Sequence, residues 1–248
     1  MNAIYILWLR QIKRYLRSRS RIIGSLGQPL LFLVALGFGL GPTFAKAGQG
    51  SYLQFLAPGI IAMSVLFTAL FSGIEIIWDR QFGFLKETLV APVPRWQIMF
   101  GRTLGGATVA TLQGLIVFLI TLVIGFRPQS LAHIISAFIV TILIALLFTG
   151  LGTAIASLLD DMQGFQLIMN FLIMPIFFLS GALFPLTGLP DVLTKIISVN
   201  PLAYGVDGLR ASLSNTGVFG LSLDLLVLIL VTCAIVASGS YLFSKIQI

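Results

Sequence analysis

Residues 134–157 read IISAFIVTILIALLFTGLGTAIAS, a stretch with no charged side chain. A bilayer core about 30 Å thick needs about 20 apolar residues per helix, so this segment fits one crossing. Five other stretches free of Asp, Glu, Lys and Arg are comparable: 22–45, 47–74, 103–126, 162–190 and 225–244. Hydrophobic residues make up 58% of the 248, against about 45–50% in soluble domains. In hydrocarbon every N–H and C=O is paired within the protein, which leaves helices or a closed barrel. Barrel strands alternate over about 10 residues, and these runs do not. The expectation is an all-α polytopic membrane protein with six transmembrane helices, at 22–41, 57–77, 103–125, 134–157, 163–184 and 221–243.

Orientation follows from the basic residues, which favour the cytosolic side. Residues 1–21 carry Arg10, Lys13, Arg14, Arg17, Arg19 and Arg21, the 78–102 loop carries four more, and the tail has Lys245. Lys46, Arg127, Lys195 and Arg210 fall on the other side. Both termini are therefore expected in the cytosol. The pI near 10.0 reflects this bias rather than nucleic-acid binding, for which no soluble domain is present.

Residues 4–21 suggest one amphipathic helix. Arg10, Lys13, Arg14, Arg17 and Arg21 share an arc opposite Ile4, Tyr5, Trp8, Ile12, Tyr15 and Leu16. That pattern suits an interfacial helix on an anionic leaflet or against a cytosolic partner. The chain thus divides into an interfacial segment, 1–21, and a six-helix domain, 22–248. Glu75, at the inner end of the second span, is placed to snorkel or to pair with Arg80. The Asp160-Asp161 pair is expected to be a solvated turn, having no third metal ligand within reach. The lone Cys233 and lone His133 can complete neither a disulfide nor a metal site.

Between 184 and 220 the chain is punctuated by proline and glycine. Pro190 can open a short helix ending near Val199, and Asn200-Pro201, an N-cap followed by proline at N1, can open a second. Both are too short to span and read as a helical hairpin at the outer face. Asp207 and Arg210 are three apart and can pair on it.

No phosphate-cradling loop, metalloprotease motif or nucleophile elbow occurs. Charges are also missing from the middles of the spans, where ion-coupled carriers place them. The energy for any transport is therefore expected from another chain. The polarity concentrates instead in WDRQFGFLKETLVAPVPRW, residues 78–96. Asp79, Arg80, Lys86 and Glu87 mix both signs, with Arg95 following. Asp79–Val90 can form one short helix with Phe82, Leu85 and Leu89 as its apolar edge and Arg80, Lys86 and Glu87 towards water. Opposite charges beside exposed aromatics suit a protein partner.

On these residues the chain resembles the type-2 ATP-binding-cassette permeases. The most specific agreement runs through Ile173, Ile176, Leu179-Ser180-x-Ala182 and Leu189-Pro190, then Pro201-Leu202-x-Tyr204 and Arg210. Residues 78–96 resemble the family's coupling segment at Asp79-Arg80, Gly83, Leu85–Glu87 and Ala91-Pro92; Phe84 departs from it, standing where a small or hydroxyl residue is expected. The resemblance implies a non-catalytic export permease, paired with a second copy or a sister subunit. It further implies two cytosolic ATPases that rest on residues 79–92 and the interfacial helix. This chain would bind no cofactor, and ATP and magnesium would sit on the partner. The cargo is expected to be drug-like or lipophilic, with a lipid-acting membrane enzyme or an ion-coupled carrier as the alternatives.

Overall fold

In a computed structural model the chain is described over residues 3–46, 51–90, 92–129, 133–186 and 188–245, apart from the side chains of Ala45, Lys86 and Leu89. The described residues form helices and no strand: α1 Ala3–Arg17, α2 Arg19–Gly39, α3 Gly41–Lys46, α4 Tyr52–Phe71, α5 Ile74–Gln81, α6 Phe84–Val90, α7 Arg95–Ile124, α8 Ile134–Leu158, α9 Met162–Phe178, α10 Asp191–Val199, α11 Pro201–Ser214 and α12 Leu221–Ser244. Five segments are long and apolar enough to cross a membrane: α2, α4 continued by α5, α7, α8 and α12. The expected fifth span is shorter. As α9 it has 17 residues, about 25 Å at 1.5 Å per residue. It ends at Phe178 because the chain turns through Ser180–Ala182, with Gly181 at φ +72°.

Helix α4 is the centre, packed between α7 and α8, with α2, α9 and α11 around it. Hydrocarbon gives helices no hydrophobic reason to associate, so close approach of backbones has to supply the attraction. At the α4–α5 junction a Cβ on Gly73 would run into the Gly152 carbonyl. One on Gly152 would reciprocally strike the Leu70 carbonyl. Helix α12 closes over α8 and α7, where Gly150 meets Val236 and Gly239 meets Met99 and Ala154.

The N-terminal segment differs from one continuous interfacial helix. It breaks at Ser18, so Arg19 and Arg21 open α2. Part of the apolar side of α1 lies on protein, along the first half of α7, while Tyr5 and Leu16 stay exposed. Ile4 and Leu7 meet Gly101, and Gln11 meets Gly105. Trp8 Nε1 donates to Thr108 Oγ1 (3.0 Å), and the buried Tyr15 hydroxyl donates to Gln113 Oε1. Burial raises the Tyr15 phenol above its usual pKa, which keeps it a donor.

The hairpin forms as α10 and α11, opened by Pro190 and Asn200. Asn200 Oδ1 accepts from Leu202 N–H (3.0 Å), and its Nδ2 donates to the carbonyls of Ile176 (2.7 Å) and Leu179 (2.9 Å). One side chain thus caps α11 and satisfies the frayed end of α9.

Gly152→Ala should lower stability by about 2–3 kcal/mol, the upper part of the overpacking range, because backbone on both helices has to move. Gly27→Ala, whose Cβ meets nothing within 4 Å, should leave the thermal unfolding midpoint in detergent unchanged or slightly raised.

Candidate functional site

Helix α5 carries Glu75 and Asp79 four residues apart, hence on one face, and both side chains are buried. Three helices deliver cations to them. Arg10 of α1 grips Asp79 with both terminal nitrogens, Nη2 to Oδ1 at 2.9 Å and Nη1 to Oδ2 at 3.2 Å. Arg102 of α7, only 2% exposed, holds Asp79 Oδ2 at 2.6 Å. Arg21 of α2 binds Glu75 at 2.7 Å, and Arg14 of α1 stands 3.8 Å from the same carboxylate. The expected Glu75–Arg80 pair is therefore not formed. Arg80 points the other way, to Asp160 and to the carbonyls of Leu159 (3.0 Å) and Ser157 (3.2 Å). It thereby closes the C-terminus of α8, where a cation is favoured.

The arginines expected to face headgroups or a partner are thus largely committed within the chain. Arg10 and Arg14 also cover aromatic rings, Arg10 over Phe84 at 4.0 Å and Arg14 over Trp78 at 5.2 Å. Lys13, Arg17 and Arg19 remain exposed. Asp160 spends its charge on Arg80, and Asp161 caps α9 by accepting from Gly164 N–H. Among the described residues no cluster of three or more potential metal ligands occurs.

The expected single helix over Asp79–Val90 is broken at Phe82-Gly83, where Gly83 takes φ +79°, a backbone shape glycine adopts at no steric cost. The break turns Asp79 and Arg80 inward and leaves α6 as a separate outlying piece. Leu85 is its buried anchor. Phe82 is 82% exposed, and Phe84, Glu87, Val90 and Pro92 are exposed with it. The side chains of Lys86 and Leu89, and all of Ala91, lie outside the described residues.

At the opposite end Asp207 and Arg210 do not pair. Asp207 accepts from Val218 N–H (2.8 and 2.9 Å) and Phe219 N–H (2.8 Å). Arg210 lies over the Phe55 ring at 4.0 Å and donates to the Gly181 carbonyl at 3.1 Å. Burial lowers its pKa to about 10, so it keeps its proton at neutral pH. Tyr204 donates to the Ser198 carbonyl (2.8 Å), which fastens α11 to α10.

Residues 2–214 match the family model described as "ABC-2 type transporter". The chain belongs to the ABC-2 type transporter family. It is 32% identical over 206 residues to a "Putative transport permease ycf38" of Porphyra purpurea, covering 81% of this chain and 70% of that protein. A protein of the same description from Cyanophora paradoxa is 28% identical over 260 residues, with 99% and 89% covered. "Nodulation protein J" of Rhizobium leguminosarum bv. trifolii is 31% identical over 208 residues, with 83% and 76% covered. As an ABC-2 family chain it is a membrane subunit of an ABC transporter, of a kind that normally works with ABC ATPases.

Sequence reasoning missed Arg102 as a partner of Asp79. A signal was present: the arginine is followed closely by Gly105 and Gly106 at the start of an apolar run, and a cation so placed needs a counter-charge. Asp79→Asn should cost about 3–5 kcal/mol, since it strands a buried guanidinium. Arg10→Gln, which removes a side chain that is itself 34% exposed and leaves Asp79 paired with Arg102, should cost under about 1 kcal/mol. Adding Arg102→Met to Asp79→Asn should recover much of the loss in the unfolding midpoint.

Proposed function

We propose that this ABC-2 family subunit forms the translocation path of an exporter driven by separate ATPase subunits docked on α6. The carrying observation is the pairing of an exposed apolar knob with a rigid root. Phe82 and Val90 stand open and Glu87 is exposed with them, Phe84 being partly covered by Arg10, while the next helix back, α5, is tied by ion pairs to α1, α2 and α7. Aromatic anchors beside charges are what a protein docking patch requires. A push delivered there would move those helices together as a rigid body. Two copies, or this chain with a sister subunit, would enclose the path. Two ATPases would bind ATP and magnesium, with both termini on their side of the membrane.

A cavity of about 370 Å³ between α1, α2 and α4 supports an amphipathic cargo. Tyr15, Arg21 and Gln28 give it a polar rim, and Phe67 and Phe71 an aromatic wall. Drug-like or lipophilic molecules fit that lining better than a long polysaccharide.

Phe82→Ala with Glu87→Ala should reduce co-purification of the ATPase about tenfold or more, or uncouple hydrolysis from transport, while membrane insertion is unchanged. Adding Lys86→Ala should deepen the defect. Full coupling in the triple variant would remove α6 as the docking element.

A further inference from the structure

The end that carries α10 and α11 holds a second cavity, also of about 370 Å³, between the start of α4, the end of α11 and the segments at 127–129 and 185–186. Its lining includes two arginines, Arg127 and Arg210, and no acid. Arg210 is only 3% exposed, yet none of the ion pairs among the described residues involves it. Its Nη2 is used by Gly181, but its buried Nε–H has no acceptor. An unsatisfied donor on a buried cation is costly to leave open. Asp207, the nearest acid along α11, gives its carboxylate to Val218 and Phe219.

Arg127 is held in place at the rim. The Gln54 carboxamide pairs with its backbone, donating to the carbonyl (3.1 Å) and accepting from the N–H (3.0 Å). Gln129 N–H donates to the Leu213 carbonyl (2.9 Å), and Phe126 is fully buried. The arginine side chain itself is exposed. Ser214 and Gln129 add hydrogen-bonding capacity, while Phe44, Phe55 and Leu186 form an apolar wall.

We propose that this cavity is a binding site for an oxyanion of the phosphate class carried on an amphiphile, with Arg210 as its floor and Arg127 as its rim. Guanidinium forks match such oxygens in geometry and charge, and the aromatic wall accepts the apolar portion beside the headgroup. The site is separate from α6 and needs no ATPase. Its failure would leave the docking reading standing, and the reverse also holds.

The test uses the whole chain purified in neutral detergent. It is titrated with short-chain phosphatidylglycerol, with diacylglycerol of equal chain length, and with inorganic phosphate at constant ionic strength, reading the unfolding midpoint. Phosphatidylglycerol should raise the midpoint saturably and diacylglycerol should not. Arg127→Gln, at an exposed position, should weaken the apparent affinity about tenfold. Lys195→Gln, an exposed cation at the same end but outside the cavity, should not change it. Arg210→Lys should weaken it further if that variant folds. A saturable response to phosphate with none to the lipid, equally sensitive to Arg127→Gln, would overturn the amphiphile and leave a solution oxyanion; a response to the lipid alone supports a headgroup. Equal responses to both lipids, or an anionic response indifferent to Arg127→Gln, would overturn the proposal.

Discussion

Asp79 and Arg102 meet where neither has water to fall back on, and that constraint orders the end of the molecule around α5. Moving a charge out of water costs several kcal/mol, and the cost is recovered only when a counter-charge sits at hydrogen-bonding distance. Arg102 is fixed on α7, which runs unbroken from Arg95 to Ile124. Asp79 has to come to it, and α5 is thereby set in rotation and depth. Once α5 is set, Glu75 faces the start of α2, and Arg80 faces the α8–α9 turn. Arg10 completes the Asp79 carboxylate from the outside, so α1 is drawn in as well. The basic N-terminal segment is therefore part of the fold, and only a fraction of its charge is left for a surface.

The two ends of the bundle solve different problems. Around α5 the helices are regular, and what needs satisfying is charge; the solution is ion pairs. At the hairpin end the helices stop short, and what needs satisfying is backbone. The end of α9 leaves carbonyls at Ile176 and Leu179, which Asn200 takes. The turn after α11 leaves N–H groups at Val218 and Phe219, which Asp207 takes. The Gly181 carbonyl goes to Arg210, and that of Leu183 to the Tyr52 hydroxyl at 2.8 Å. Buried backbone outside a regular helix needs such partners. Arg210 is the exception, because one donor more than the backbone can use remains on it.

Much of this was legible in the amino acids because the controlling physics is local or one-dimensional. Span positions depend on hydrocarbon thickness and charge-free length, and α7, α8 and α12 cover the expected intervals. Asn200-Pro201 opens α11 because a cap and an N1 proline act within one turn. Pairings were read less well, since spacing says which groups can touch and is silent about competitors. Asp207 and Arg210 are suitably spaced, but the N–H groups of Val218 and Phe219 bind the same carboxylate without a desolvated counter-ion. Glu75 and Arg80 are close in sequence, yet five residues on a helix point them to different neighbours. The helix expected over Asp79–Val90 ran through Gly83, because Phe82 looked like the continuation of an apolar edge. Only the inward pull on Asp79 decides that the helix turns there.

On the reading proposed above, these constraints also determine where movement can be taken up. Helix α5 is clamped at both ends, by α1, α2 and α7 on one face and by the α8–α9 turn through Arg80. At its junction with α4, Gly73 lies against the backbone of α8 with no space to slide. A displacement of α6 cannot be absorbed inside that assembly without breaking a buried ion pair, at a cost of about 3–5 kcal/mol. It has to pass to helices held by fewer close contacts. Helix α2 is such an element: Gly24, Gly27 and Gly39 have open space beside them, and Pro29 interrupts its hydrogen-bond ladder. Arg21 joins the first turn of this helix to Glu75, so α2 is gripped at one end and beyond it packs on α4 along one face only. A lever with that form converts a small shift at α5 into a larger one beside the cavity of Tyr15, Gln28 and Phe67.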